Sequence, residues 1–431
     1  MGGDSSTVTR VATADVTDDG YDPFEEFNRS AGMGLVENPY PLFALVRPEH
    51  PIKREDIDDN VLVPPDTEED IDFMPIDRSI GVFTAYSYEV VQQVLKDGET
   101  FSSSGYAQVM GEVLGHSILE MDEPEHHTYR GLVQQAFSRK TMENWEREVV
   151  PAVVNEHIDA FIDRPERRAD LVRELTFPFP VVVIARILGL PREDLRMFHR
   201  RAVEVISAGF APERALVASQ ALYEYFCRFI AERRDKDGDD LISVLANTEL
   251  DGVRLNDEEI CSFLRLLLPA GAETTYRSSS NLLWGLLTNP DQLDAVRADD
   301  ALMPQAIEEG LRWEAPLIGI MRTAAKDTEV KGMAIPAGSV VAINIGSANH
   351  DETVWDDPER FDIFRPPKQH LAFAWGPHMC LGLHLARMET RVVLRQLFDR
   401  LPNLRFDPAV EPPPITGAIF RAPAALPVTW D

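Results

Sequence analysis

The sequence predicts a mainly α fold with a minor β region, built around one long central helix. Three observations carry this reading. From Pro124 to about Arg234 apolar residues recur at helical spacing, broken at LGLP (188–191) and SAGFAPER (207–214), where Gly and Pro interrupt the pattern. A second run opens at Asn256-Asp257 and stops at Asn289-Pro290. Its length of about 32 residues, at about 1.5 Å each, spans roughly 48 Å and crosses a whole domain. The stretches of strand composition, SIGVFTA, GIMRTA, TEV and SVVAINIG, are short and scattered, so any sheet must be assembled from distant segments.

Taken in order, residues 1–20 are rich in Asp, Thr, Ser and Gly without periodicity and read as a disordered tail ahead of one domain over 21–431. Ordered structure is expected to begin near NPYPLFALVR (38–47), a Pro-punctuated entry to a short helix. An acidic segment at about 53–77, including EDIDDNVLVPPDTEEDIDF, shows neither helical nor strand period and reads as a solvated insertion. SIGVFTA (79–85) then has strand composition, and YSYEVVQQVLKDG (86–98) has helical period with a Gly stop. A Ser- and Gly-rich loop follows from Phe101 to about Leu119. Beyond the long helix, QAIEEGLRW (305–313) reads as a helix, the short strands follow, and helix resumes after Cys380.

Composition excludes several function classes. The 431 residues carry a formal net charge of -30, which repels phosphate backbones and anionic lipid. No segment of 18 apolar residues and no basic, apolar leader is present, so a cytoplasmic protein without a membrane anchor is expected. Three cysteines, Cys227, Cys261 and Cys380, are too few and too scattered for a disulfide framework, in keeping with a reducing compartment. Cys227 and Cys261 sit in helical apolar patterns and read as small buried hydrophobes.

Cys380 is different. In FAWGPHMCLGLHLAR (373–387) it stands between a Gly-Pro turn and an amphipathic run, at the start of a helix whose N–H groups and dipole favour the thiolate. The residues alone leave three readings open: an inert buried thiol, a zinc ligand with His378 and His384, or a nucleophile. Phe373, Gly376, His378, Cys380 and Gly382 match the FGxGxHxCxG haem loop, and from about Asn38 to the C-terminus the chain resembles the cytochromes P-450, the haem-thiolate monooxygenases. Ala374 replaces the first Gly, which requires negative φ at that position if the turn is to be unstrained.

The resemblance implies a P-450 fold with the long helix over heme b and Cys380 as axial thiolate. It implies further roles, residue by residue. Glu309 and Arg312, neighbours at i,i+3 on a helix, match its ExxR motif, with Arg360 as the third member of a bracing triad and Arg365 as the weaker candidate. His126, Arg130, Arg322 and His378 match its contacts to the haem propionates; His127 is expected to face water. PAGAETTYRSS matches the AGxETT signature, so Ala270 and Gly271 leave space for O2 while Glu273 and Thr274 relay protons. Pro269 is unusual there and should kink or loosen the helix.

The function so implied is insertion of one oxygen atom from O2 into a hydrophobic small molecule. Substrate contacts are expected from Tyr106–Leu114, Gly209–Pro212, Leu317–Ile320 and Ile415–Phe420. The sequence shows no flavin domain or dinucleotide fingerprint, so electrons are expected from a separate ferredoxin and its reductase. A basic patch drawn from Arg139, Lys140, Lys368, Arg387 and Arg391 would receive that acidic partner. A hydrogen peroxide-driven peroxygenase and a non-enzymatic haem-thiolate sensor or carrier are the alternatives; the acid-alcohol pair Glu273 and Thr274 argues against both.

Overall fold

Residues 22, 24, 25, 28, 32–55, 81–209 and 211–431 are described in this computed structural model. The tail at 1–20 and all but the first few residues of the acidic insertion lie outside them. A helix, α1 (Tyr40–Val46), enters as the NPYP punctuation predicts. Ordered contacts nevertheless begin earlier, because Phe24 packs edge-on to Phe177, with ring centroids 5.0 Å apart.

Five short strands from distant parts of the chain form one sheet: β1 (Ile52–Glu55), β2 (Val82–Ala85), β3 (Phe101–Ser102), β4 (Gly319–Ala324) and β5 (Val340–Asn344). Their order is β1-β2-β5-β4-β3, with β2 and β5 parallel and the remaining pairs antiparallel. Residues 53–55 are therefore strand, not insertion. β1 is an edge strand that buries only Ile52, so three polar residues carry no strand signature although Ile52 pairs with Ala85. Helix α2 (Tyr88–Lys96) starts where the Ser87 side chain accepts the Val90 N–H. It buries Val90, Val91, Val94 and Leu95 in a small core shared with the sheet and α1.

The larger core is helical. α3 (Tyr106–Leu114) and α4 (Glu125–Gln134) lead into α5 (Pro178–Ile187), α6 (Leu195–Ile206) and α7 (Pro212–Arg233), with breaks where the Gly and Pro clusters fall. The long helix is present, in three parts. α8 (Asp257–Leu267) opens with a reciprocal capping box between Asn256 and Glu259, and α9 (Thr274–Thr288) closes at Asn289-Pro290. Between them Leu268–Glu273 winds as a π-helix. Pro269 has no N–H to give the carbonyl four residues back, and the helix widens by a turn instead of breaking there. Helices α10 (Met303–Trp313) and α11 (Leu383–Arg400) complete this core. Ala372, just before the Cys380 loop, touches both cores. The loop is thus held at the seam between two packed bodies.

Candidate active site

Gly382 is the N-cap of α11, so Cys380 stands two residues before the cap. The loop is closed by backbone bonds from Cys380 N to Phe373 O (2.9 Å), Met379 N to Gly376 O (3.0 Å) and Ala374 N to Leu371 O (2.8 Å). Gly376 has φ +74, and a Cβ there would stand 2.5 Å from the Leu95 carbonyl oxygen, so only glycine fits. Ala374 has φ +58, contrary to the expected negative φ. An alanine is held in the left-handed region by the loop around it, at about 1–2 kcal/mol.

Burial pushes the Cys380 thiol above its ordinary value, and the Gly382 N–H, Arg130 and Arg387 work against that shift. His384 is exposed, and among the described residues no cluster of three or more His, Cys, Asp or Glu is placed to hold a metal, so the zinc reading is not assembled.

Two imidazoles and two guanidiniums gather beside the loop. The His126 and His378 rings lie 4.0 Å apart, whereas His127 is exposed. Arg130 donates to the Met379 carbonyl (2.6 Å) and Arg322 to that of Met321 (2.7 Å). The group is desolvated and self-repelling: the His378 pKa falls to about 3, chiefly by burial and then by Arg322, His126 and Arg130. His126 is lowered by burial too, and its buried Nε2 has no partner. A cluster of this sign with a buried imidazole nitrogen left without a partner suits anionic carboxylates, such as haem propionates. Sequence reasoning missed its supports. Ser103 Oγ lies 3.1 Å from His378 Nε2, Ser103 N donates to Asp122 (2.9 Å), and Ser102 bonds the same carboxylate. The run of three serines at 102–104 was the only hint.

On the long helix Ala270 is exposed between buried stretches, and at Gly382 a Cβ would meet no atom within 4 Å. Both border open space, as residues flanking a large planar cofactor should. At Gly271 a Cβ would be 3.2 Å from Ile184 Cδ1, so this glycine allows α5 to pack closely on the π-helix. Thr274 donates its hydroxyl to the Ala270 carbonyl (2.6 Å). Glu273 is buried and receives Arg277 Nη2 (3.1 Å) and Nε (3.3 Å) on Oε1; burial lifts its pKa to about 7. A second buried acid was not foreseen: Glu389 on α11 accepts the Thr275 hydroxyl (3.2 Å), and burial raises it to about 8.

The bracing triad forms with a different third member. Arg312 binds Glu309 through two bonds of 2.8 Å, and Arg365 Nε reaches Glu309 Oε1 at 3.4 Å. Arg360 is 64% exposed and only approaches Asp362 at 4.0 Å, so it supplies its backbone carbonyl and not its charge. Arg312 also donates to the carbonyl of Asn349 (3.1 Å), whose side-chain oxygen accepts Leu371 N (2.8 Å). Leu371 in turn accepts Ala374 N, so the triad is tied to the strained point of the loop.

Of the four expected substrate segments, Leu317–Ile320 and Ile415–Phe420 meet through Ile318 N to Ile419 O (2.9 Å), and Tyr106 accepts Met321 N (3.1 Å). Phe210 lies outside the described residues. Acids neutralise the three arginines of the expected basic patch. Arg139 pairs with Glu143, Arg391 with Glu146, and Arg387 with Glu308 (2.6 and 2.7 Å), while Lys368 bonds the Val354 carbonyl. What remains is a groove of about 300 Å³ lined by Met142, Glu146, Glu308, His384, Arg387 and Arg391.

The family model described as Cytochrome P450 matches residues 213–426. The chain is 34% identical over 412 residues to cytochrome P450 monooxygenase PikC of Streptomyces venezuelae, covering 93% of this chain and 92% of the relative. It is 38% identical over 331 residues to a steroid C26-monooxygenase of Mycobacterium tuberculosis, covering 75% and 88%. Among solved structures, CYP109E1 from Bacillus megaterium in complex with testosterone superposes with a TM-score of 0.79 at 32% identity, over 91% of this chain and 99% of that one.

Proposed function

The chain belongs to the cytochrome P450 family of monooxygenases, and we propose that it takes heme b on Cys380 and inserts one atom of O2 into a hydrophobic small molecule. The observation that carries this reading is the cluster of His126 and Arg322, both buried, with the half-buried Arg130 and His378, gathered against the loop that presents Cys380 with the His126 Nε2 left without a partner. When bound, the haem would supply dioxygen activation, favoured by a thiolate ligand. The chain does the rest.

The four cationic or imidazole groups would hold the propionates, and each carboxylate so placed raises the neighbouring imidazole pKa towards its usual range. Gly376 and the carbonyl of Phe373 fix the loop so that Cys380 is presented from rigid backbone. Thr274, whose own proton goes to Ala270, keeps oxygen lone pairs to accept a hydrogen bond from water. Glu273, balanced near neutrality between burial and Arg277, can give or take a proton at working pH. Leu317–Ile320, Ile415–Phe420 and the Tyr106 helix would close on substrate. The relative named for steroids and the testosterone complex make steroids the first compounds to try.

Electrons would come from a ferredoxin and its reductase at the groove containing Arg387 and Arg391, in a single domain over 21–431 working in the cytoplasm. Among the described residues no helix is long and apolar enough to cross a membrane. The test is the absorbance of reduced, carbon monoxide-treated holoprotein. A thiolate-type band that Cys380→His abolishes, while haem stays bound, supports the assignment. A band unchanged by that substitution overturns it.

A further inference from the structure

The two cysteines assigned by sequence to packing come together in the fold. Cys227 on α7 and Cys261 on α8 place their sulfurs 3.7 Å apart. Cys261 is fully buried and Cys227 half-buried, so one sulfur can be reached from solvent and the other cannot. The helices are pinned beside them. Arg265, one turn beyond Cys261, donates to Ser219 Oγ on α7 (3.0 Å) and to Glu258 (3.1 Å), and its guanidinium lies 5.5 Å from the Tyr223 ring centroid. Cys261 Sγ also approaches the Tyr223 carbonyl at 3.9 Å. Neither sulfur is free to drift from the other.

We propose that Cys227 and Cys261 form a reversible intramolecular disulfide that staples α7 to α8. A disulfide bond is about 2.05 Å long, so the sulfurs must close by about 1.7 Å, shared between two side-chain rotations. With hydrogen peroxide as oxidant, the Cys227 thiolate attacks one peroxide oxygen, an S–O bond forms, the O–O bond breaks and hydroxide leaves, taking up the thiol's proton as water. Cys261 sulfur then displaces hydroxide from Cys227; the S–S bond forms, the S–O bond breaks, and the second thiol proton leaves as water. Two thiols lose two electrons and one peroxide becomes two waters. Cys227 takes the first step because burial raises the Cys261 thiol far above its ordinary value.

The staple lies at a useful place. α8 runs directly into the π-helix that carries Ala270 and Glu273, and α7 starts at Pro212, the end of the Gly209–Pro212 segment expected to contact substrate. Fixing one helix to the other would restrain that side of the molecule without touching Cys380.

The experiment exposes reduced holoprotein to hydrogen peroxide, alkylates remaining thiols under denaturing conditions and maps the peptides. The expected result is a peptide pair joined through Cys227 and Cys261, lost on dithiothreitol treatment, with a higher unfolding temperature for the oxidised protein. In Cys261→Ser the joined pair disappears and a sulfenic acid at Cys227 becomes trappable by a cyclic diketone. Oxidation of Cys227 to sulfinic acid without a joined pair in the unsubstituted chain, a bridge between two chains, or full alkylation of both cysteines after peroxide would each overturn the proposal.

Discussion

Two buried glutamate-arginine pairs, one on the long helix and one on α10, do different things. Glu309 on α10 accepts four donors: two from Arg312, one from Arg365 and the backbone N–H of Asp362 (2.9 Å). Glu273 accepts two, both from Arg277 and both on one oxygen. Burial is nearly complete for both acids, and it lifts Glu273 to about 7. Four directed donors from three residues hold the Glu309 carboxylate in place, whereas both donors to Glu273 come from one side chain. The first arrangement suits a clamp and the second a proton carrier.

The contrast can be broken most decisively at the clamp. Arg312→Ala leaves Glu309 buried with its main partner gone and frees the carbonyls of Asn349 and Pro358, so a loss of about 3–5 kcal/mol is expected. The measurement is recovery of folded, haem-loaded protein and its unfolding temperature; stability within error of the unsubstituted chain would remove the clamp. At the other pair the effect depends on pH. A carboxyl raised to about 7 in the folded state, against about 4.5 unfolded, contributes stability that is fully present below about pH 4.5 and lost as pH rises through 7. Glu273→Gln deletes this term, so unfolding midpoints of the two proteins should converge or cross between pH 5 and 8, by about 2 kcal/mol. Parallel midpoints over that range would mean that Glu273 does not titrate there.

A smaller effect separates the two candidate third arginines. Arg365→Ala loses the contact with Glu309 and bonds to the carbonyls of Asp357 and Arg360, which should lower stability by about 1–2 kcal/mol. Arg360→Ala removes an exposed side chain and should change it by less than about 0.5 kcal/mol. Chemical denaturation of both variants decides; the reverse order would restore Arg360.

This choice also shows what could be read from sequence. Periodicity and Gly-Pro punctuation located the helices, including the full 257–288 run, because those signals are local. The residues Glu309, Arg312, His126, Arg130, Arg322, His378 and Cys380 were named through the family resemblance, and the structure gathers His126, Arg130, Arg322 and His378 beside the Cys380 loop. Arg360 and Arg365 carry the same charge five residues apart, and only the path of an irregular loop determines which one turns inward. Ser103, Asp122 and Glu389 escaped because their importance lies in partners 275, 19 and 114 residues away. The pairing of the arginine patch with Glu143, Glu146 and Glu308 is equally nonlocal. A composition of -30 already warned that lone basic residues would find acids.

The smallest effect tests whether the clamp reaches the loop. Ala374 is held at φ +58, one hydrogen bond from Leu371, which hangs from Asn349 and so from Arg312. Glycine would adopt that φ without a steric penalty, at the expense of a more flexible unfolded chain, and a net gain of about 0.5–1 kcal/mol is expected for Ala374→Gly. If the clamp supplies the restraint that keeps alanine there, the gain should be smaller in an Arg365→Ala background than alone, since a weakened clamp lets the alanine relax. Equal gains in both backgrounds, measured by thermal unfolding of the haem-loaded proteins, would show that Gly376, wedged against the Leu95 carbonyl, fixes the turn without help from the arginines.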